Sequence, residues 1–306
     1  MSMARRKPRT KIYSPRVWGT WLIVGLGWLL ARLPLPAVIH VGRVLGRVGY
    51  HLADSRRHIA QVNLALCFPE LSEAERGELT RQTFQHVAVG ALETTLPWLN
   101  PNRDLTSHIE LQGVEHLHKA QALGRGVVLI GGHFTAMDII SQALKAAVDI
   151  DVMYRENKNP VWEWLQVTGR RRYFAGVIER SDTRQTLRSL KAGRTVWYAP
   201  DQDYGPKHSV FAPFFGVPAA SITATSRLAR FNDSPVVFMS HFRHWDTLTW
   251  TVTFSPMIDG FPSDDEVADT TLINSVVERA VRQHPAQYLW IHRRFKTRPE
   301  GEAKLY

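Results

Sequence analysis

His133 and Asp138 close the run Val127-Val128-Leu129-Ile130-Gly131-Gly132-His133-Phe134-Thr135-Ala136-Met137-Asp138. A carboxylate against one imidazole nitrogen fixes the tautomer and stabilises the imidazolium, leaving the other nitrogen to take a proton from a hydroxyl. That chemistry suits acyl transfer to an alcohol, with direct attack by the acceptor. On one continuous helix, positions i and i+5 lie about 140° apart. The pair therefore requires His133 in the turn after a strand and Asp138 in the first turns of the following helix. Gly131 and Gly132 permit such a turn. An oxyanion forming at the acyl carbon needs donors, either backbone N–H groups near the glycines or an arginine. The spacing H-x-x-x-x-D alone is common, and a histidine satisfied at a helix start competes with the catalytic reading.

Other residues belong to the same question. Arg155 and Arg170 flank an expected helix, and arginine clamps phosphate or carboxylate bidentately, though a solvated basic face would look the same. Asp201 and Asp203 follow a β-rich run in Asp201-Gln202-Asp203-Tyr204-Gly205, where a carboxylate would orient an arginine or an acceptor sugar, or simply form an Asp/Gly turn. Phe211, Phe214 and Phe215 would line an acyl channel or pack a core, and Arg293 and Arg294 are further candidate phosphate contacts. The chain has no G-x-S-x-G elbow, H-E-x-x-H or P-loop. With one cysteine, Cys67, there is no internal disulfide and no cysteine-based metal site. The pairs His116/His118 and His241/His244 lack a partner acid at metal spacing and are read as surface or packing residues. No metal or cofactor is implied.

The elements that must hold these groups alternate. Helices are expected at 55–66, 73–95, 115–123, 135–147, 160–172, 182–192, 221–232 and 265–284, with Ser72 and Glu75 forming a capping box ahead of the second. Strands are expected at 127–130, 152–154, 195–199, 236–240, 249–254 and 288–292. The pattern predicts one α/β domain, residues 54–306, with a mostly parallel or mixed central sheet flanked by helices.

The N-terminus differs. Residues 1–53 carry nine basic side chains and no acid, although the whole chain has 38 basic and 28 acidic residues and a net charge of +10. The remainder is nearly neutral, which disfavours a nucleic-acid groove. Residues 1–16 form a basic tail, and 17–53 a retained membrane anchor with a membrane-apposed helix. The apolar run Val17–Ala31 is 15 residues long and carries Trp18, Trp21 and Trp28, short for a full span, so a shallow or re-entrant anchor is expected. Gly42, Gly46 and Gly49 give the next helix a smooth face for close approach. Arg43 and Arg47 on another face suit lipid phosphates or solvent equally.

Seven segments, in order from about Pro15 to Gly301, resemble the lipid A late acyltransferases, the lauroyl type in particular: PRVWGTWLIVGLGWLL, NLALCFPELSEAER, GGHFTAMD, YRENKNPVWEWLQVTGR, VWYAPDQDYGP, SVFAPFFGV and YLWIHRRFKTRPEG. The resemblance implies a glycerolipid-acyltransferase-like domain. It also implies transfer of a fatty acyl chain from acyl carrier protein to the hydroxyl of a hydroxyacyl chain on a Kdo-bearing lipid A precursor. The setting it implies is the cytoplasmic face of a Gram-negative inner membrane, in contact with membrane lipid. His133 and Asp138 fall on the family's catalytic motif, where many lauroyl-type relatives carry Glu in place of Asp138. A glycerol-phosphate acyltransferase is the nearest alternative, yet Tyr198-Ala199-Pro200-Asp201-Gln202-Asp203 stands where that group has an F-P-E-G-T-R-like block. A membrane-anchored binding protein without catalysis is the alternative from another class.

Overall fold

The computed structural model describes residues 9–306. The basic tail's first eight residues lie outside the described residues. Four helices come first: α1 (Trp18–Leu30), α2 (Leu35–Leu52), α3 (Asp54–Cys67) and α4 (Glu73–Leu99). Ser72 and Glu75 form the expected capping box at the start of α4. The α/β body follows as β1 (Ile109–Gln112), α5 (Val114–Gln121), β2 (Val127–Gly131), α6 (Ser141–Ala147), β3 (Ile150–Tyr154), α7 (Pro160–Arg170), β4 (Gly176–Glu179), α8 (Thr183–Lys191) and β5 (Thr195–Tyr198). It ends with β6 (Ser209–Phe214), β7 (Val217–Ile222), α9 (Ala224–Asn232), β8 (Val236–His244), β9 (Thr249–Met257) and α10 (Glu266–Gln283).

Seven strands form one mixed sheet in the order β1-β9-β8-β2-β5-β3-β4. Only the β8–β9 pairing is antiparallel; β6 and β7 form a separate hairpin. The central strand β2, with sequence VVLIG, is buried at every position, as expected for a parallel strand covered on both faces. One core cluster contains residues of α2, α4, α6 and the sheet; the other joins α3, α9, α10 and the hairpin to the sheet. From β2 the chain crosses to β3, beyond β5; from β5 it returns by the hairpin and α9 to β8, beyond β2. Neighbouring strands whose connections leave in opposite directions open a crevice at their carboxyl ends.

The alternation of strands and helices is as expected, with four local differences. Residues 135–140 form turns, so Asp138 precedes α6. Residues 217–222 are hairpin strand β7, where the expected helix 221–232 was to begin. Residues 288–292 are a loop making one bridge, Tyr288 to Phe134. Short β1 and β4, both at sheet edges, carry too few apolar positions to announce themselves.

No described helix is long and apolar enough to cross a membrane. Instead α1 and α2 expose large apolar side chains: Trp18, Leu22, Ile23, Leu26, Trp28 and Leu29 on α1, and Val44, Leu45, Val48 and Leu52 on α2. The opposite face of α2 packs on α4 through the expected glycines. A Cβ at Gly42 would stand 2.6 Å from Val89 Cγ2, and one at Gly46 would stand 2.4 Å from the Gln85 Cα. Both contacts are closer than side chains tolerate, whereas Gly49 has only Phe84 Cδ1 at 3.7 Å. Gly46→Val should therefore destabilise the fold by about 1–3 kcal/mol, read as a lowered Tm in detergent, while Gly49→Ala is neutral or slightly stabilising. A wild-type Tm for Gly46→Val would contradict this packing.

Candidate active site

β2 and β5 pair in parallel with Ile130 opposite Tyr198. Three residues beyond each of these stand His133 and Asp201. Both residues bond twice: Asp201 accepts the His133 backbone N–H at 2.9 Å, and its other oxygen lies 2.6 Å from Nδ1. Asp201 is 2% exposed and the His133 side chain 30%, so the carboxylate sits behind the ring and the ring faces outward. Burial alone would raise the Asp201 carboxyl, but His133, through charge and both hydrogen bonds, holds it well below the usual carboxylate range. An ionised Asp201 can only accept. Nδ1–H therefore donates to it, and Nε2 is the ring nitrogen left free of the carboxylate.

Asp138 makes no hydrogen bond or ion pair with His133; it takes Arg170 of α7, with Nε and Nη2 donating at 2.9 and 3.2 Å. Two features account for the difference. His133 points along the sheet toward β5, and the turn that carries Asp138 lies against α7. The Asp138 carbonyl also accepts from the Ser141 N–H and hydroxyl, starting α6. The glycines matter through space: a Cβ at Gly131 would stand 2.8 Å from the Trp197 indole nitrogen.

The turn that carries His133 is held from behind by the loop around Gln287 and Leu289. The Thr135 N–H donates to the Gln287 carbonyl at 3.1 Å and the Leu289 N–H to the His133 carbonyl at 3.0 Å. The Gln287 side chain joins both the N–H and the carbonyl of Arg243. Arg243, buried in β8, donates bidentately to buried Glu93 of α4 and bonds Nδ1 of His86 at 2.8 Å. Glu93 and Arg243 are separated by 150 positions, so nothing local in sequence identifies the pair. His241, fully buried behind Phe134 and pushed down to about 4 by burial, is neutral near pH 7 and packs, as expected.

His133 opens onto a cavity of about 590 Å³. Its walls include Phe134, Met137, Met153, Trp197, Ile222 and Leu228; Arg155, Arg170, Arg180, Lys207 and Arg227 also line it, and no carboxylate does. Of the residues singled out in the sequence, His133, Arg155 and Arg170 therefore line one cavity, with Asp138 and Asp201 each bonded to one of them. Asp203 does not line it. Its carboxylate accepts from the Gly205 N–H and from the Thr297 N–H and hydroxyl, tethering the C-terminal segment. Arg294 is likewise internal, donating to the Ala220 carbonyl and the Ser221 hydroxyl. Phe214 and Phe215 are core residues. Among the described residues, no group of acids, histidines or cysteine is arranged to hold a metal ion.

A depressed Asp201 pKa has a stability consequence. The unfolded chain, with its ordinary pKa of about 3.9, binds the proton more readily than the folded protein. The pair therefore stabilises the fold above that value, and the contribution is lost as pH falls below it. Tm measured from pH 6 to 3 should fall less steeply for Asp201→Asn than for the wild type; parallel curves would contradict the pairing.

The model of the bacterial lipid A biosynthesis acyltransferase family matches residues 5–297. The chain is 38% identical, over 97% of both chains, to the lipid A biosynthesis lauroyltransferase of Escherichia coli strain K12. It is 35% identical to the palmitoleoyltransferase of the same strain, over 95% of both chains. The myristoyltransferase of that strain is 31% identical over 95% of this chain and 91% of its own length. The chain is an acyltransferase and belongs to the bacterial lipid A biosynthesis acyltransferase family.

Proposed function

We propose that this enzyme moves a fatty acyl chain, lauroyl or of similar length, from the thioester of acyl carrier protein to a lipid. The acceptor is the hydroxyl of a hydroxyacyl chain on a Kdo-bearing lipid A precursor. The observation that carries the reading is the His133–Asp201 pair facing a cavity with apolar walls and five cationic side chains. An amphiphile with an anionic head fits such a lining. The relatives named for lauroyl, palmitoleoyl and myristoyl transfer support the acyl donor class.

In this reading Nε2 of His133 removes the proton as the acceptor oxygen attacks the thioester carbonyl. Asp201 holds the ring and stabilises the imidazolium that forms. A C–O bond forms, the C–S bond breaks, and the leaving thiolate recovers the proton from His133. Asp138 engages Nε and Nη2 of Arg170; Nη1 of the same guanidinium is the donor for the developing oxyanion. Asp138 thus acts by positioning Arg170.

The setting is the inner membrane, with the catalytic domain on the cytoplasmic side. The exposed apolar side chains of α1 and α2 would lie in the leaflet, and the basic residues before Val17 at the lipid phosphates. A shallow anchor of this kind leaves the tail and the catalytic domain on one side of the bilayer.

Purified protein in phospholipid vesicles should consume lauroyl-acyl carrier protein only when the lipid A precursor is present; transfer to lysophosphatidate instead would overturn the acceptor. His133→Ala and Asp201→Asn should each lower kcat about 10²–10⁴-fold. Asp138→Asn, which leaves the His133–Asp201 pair intact, should retain more activity than Asp201→Asn. The reverse order would contradict the assignment.

A further inference from the structure

Arg155 and Arg180 occupy matching positions at the sheet's carboxyl edge. Tyr154 of β3 pairs with Glu179 of β4 in parallel register, the next residues are Arg155 and Arg180, and the Arg180 N–H donates to the Tyr154 carbonyl at 2.8 Å. The Arg180 guanidinium lies 5.0 Å over the Tyr204 ring, which braces it. Lys207, in the loop before β6, and Arg227, in the first turn of α9, line the same cavity. All four side chains are exposed.

Among the described residues, none of the four has a carboxylate partner; the ion pairs at this cavity are His133–Asp201 and Arg170–Asp138. Elsewhere on the surface Arg57, Arg81, Arg125, Arg194, Arg282 and Arg298 each meet an Asp or Glu. Four cations from four elements around one concavity repel one another. Such an arrangement concentrates an incoming anion, and adjacent guanidinium groups match the oxygens of a phosphate ester.

We infer that Arg155, Arg180, Lys207 and Arg227 form a phosphate-ester subsite at the rim of the catalytic cavity, which seats the anionic end of a substrate while its acyl chain lies along the apolar walls toward His133. The inference rests on the acyltransferase reading of the same cavity. Two substrates of that reading would supply the ester: a phosphate on the lipid acceptor's head, or the phosphodiester of the carrier protein's prosthetic arm.

The test measures KM for each substrate separately in Arg180→Gln, Arg227→Gln and the double variant, with pyrophosphate as a competing probe. Arg279→Gln on α10, an exposed arginine outside the cavity, serves as the control. Each rim variant should raise one KM about tenfold with kcat within a few-fold of wild type, and weaken pyrophosphate inhibition in parallel; the control should match wild type. A rise in the acceptor's KM assigns the subsite to the lipid head, and a rise in the donor's KM assigns it to the prosthetic arm. Unchanged KM values for both substrates, or a kcat loss with no KM change, would overturn the subsite. Pyrophosphate binding measured by calorimetry separates the two readings. Binding that the rim variants abolish, in a wild-type protein that transfers no acyl chain, would sink the acyltransferase chemistry and leave the subsite standing.

Discussion

His133 and Asp201 meet because β2 and β5 are parallel neighbours in a register that ends both strands at one level. The main-chain hydrogen bonds of the sheet set that register, and each chain then leaves the sheet in the opposite direction. A buried carboxylate would be costly in such a place without partners. Asp201 has two from a single residue, one to the backbone and one to the ring. The backbone bond locates the turn and the ring bond orients the imidazole, so one carboxylate sets both.

The remaining charged groups near the turn are arranged around that pair. Asp138 neutralises and orients Arg170, and the buried Arg243–Glu93 pair ties α4 and β8 to Gln287, whose carbonyl holds the Thr135 N–H. Removing one partner of such a buried pair leaves a charge uncompensated, typically at a cost of about 3–5 kcal/mol. The turn is therefore fixed on three sides, by the sheet, by α7 and by the 284–292 loop. The cavity side remains open to substrate.

The α/β class, the glycine-flanked turn at His133 and the apolar N-terminal helices were legible in the sequence because each leaves a local trace. Strand β2 is a run of apolar residues ended by glycines, α2 shows glycines at helical spacing, and α1 is apolar with three tryptophans. The acid partner was harder to read. Asp201 was recognised as a carboxylate at a strand end, but its meeting with His133 depends on which strand lies beside β2. That order arises from non-local pairing: β5 is adjacent to β2 although β3 and β4 intervene in the chain. Asp138 is near in sequence, and proximity along the chain was a poor guide once residues 135–140 became turns leading toward α7. The Glu93–Arg243 network, with partners 150 positions apart, left no pattern to find. Asp203 and Arg294 show the converse: polar residues in suggestive segments that serve to hold the hairpin and the C-terminal segment.

The measurement closest to the central claim is proton NMR of the His133 Nδ1–H in histidine-labelled protein in detergent micelles. A hydrogen bond to an ionised carboxylate moves that proton far downfield of the amide region. The account predicts that this resonance is present in the wild type, persists in Asp138→Asn and disappears in Asp201→Asn. Its loss in Asp138→Asn together with its survival in Asp201→Asn would contradict the account.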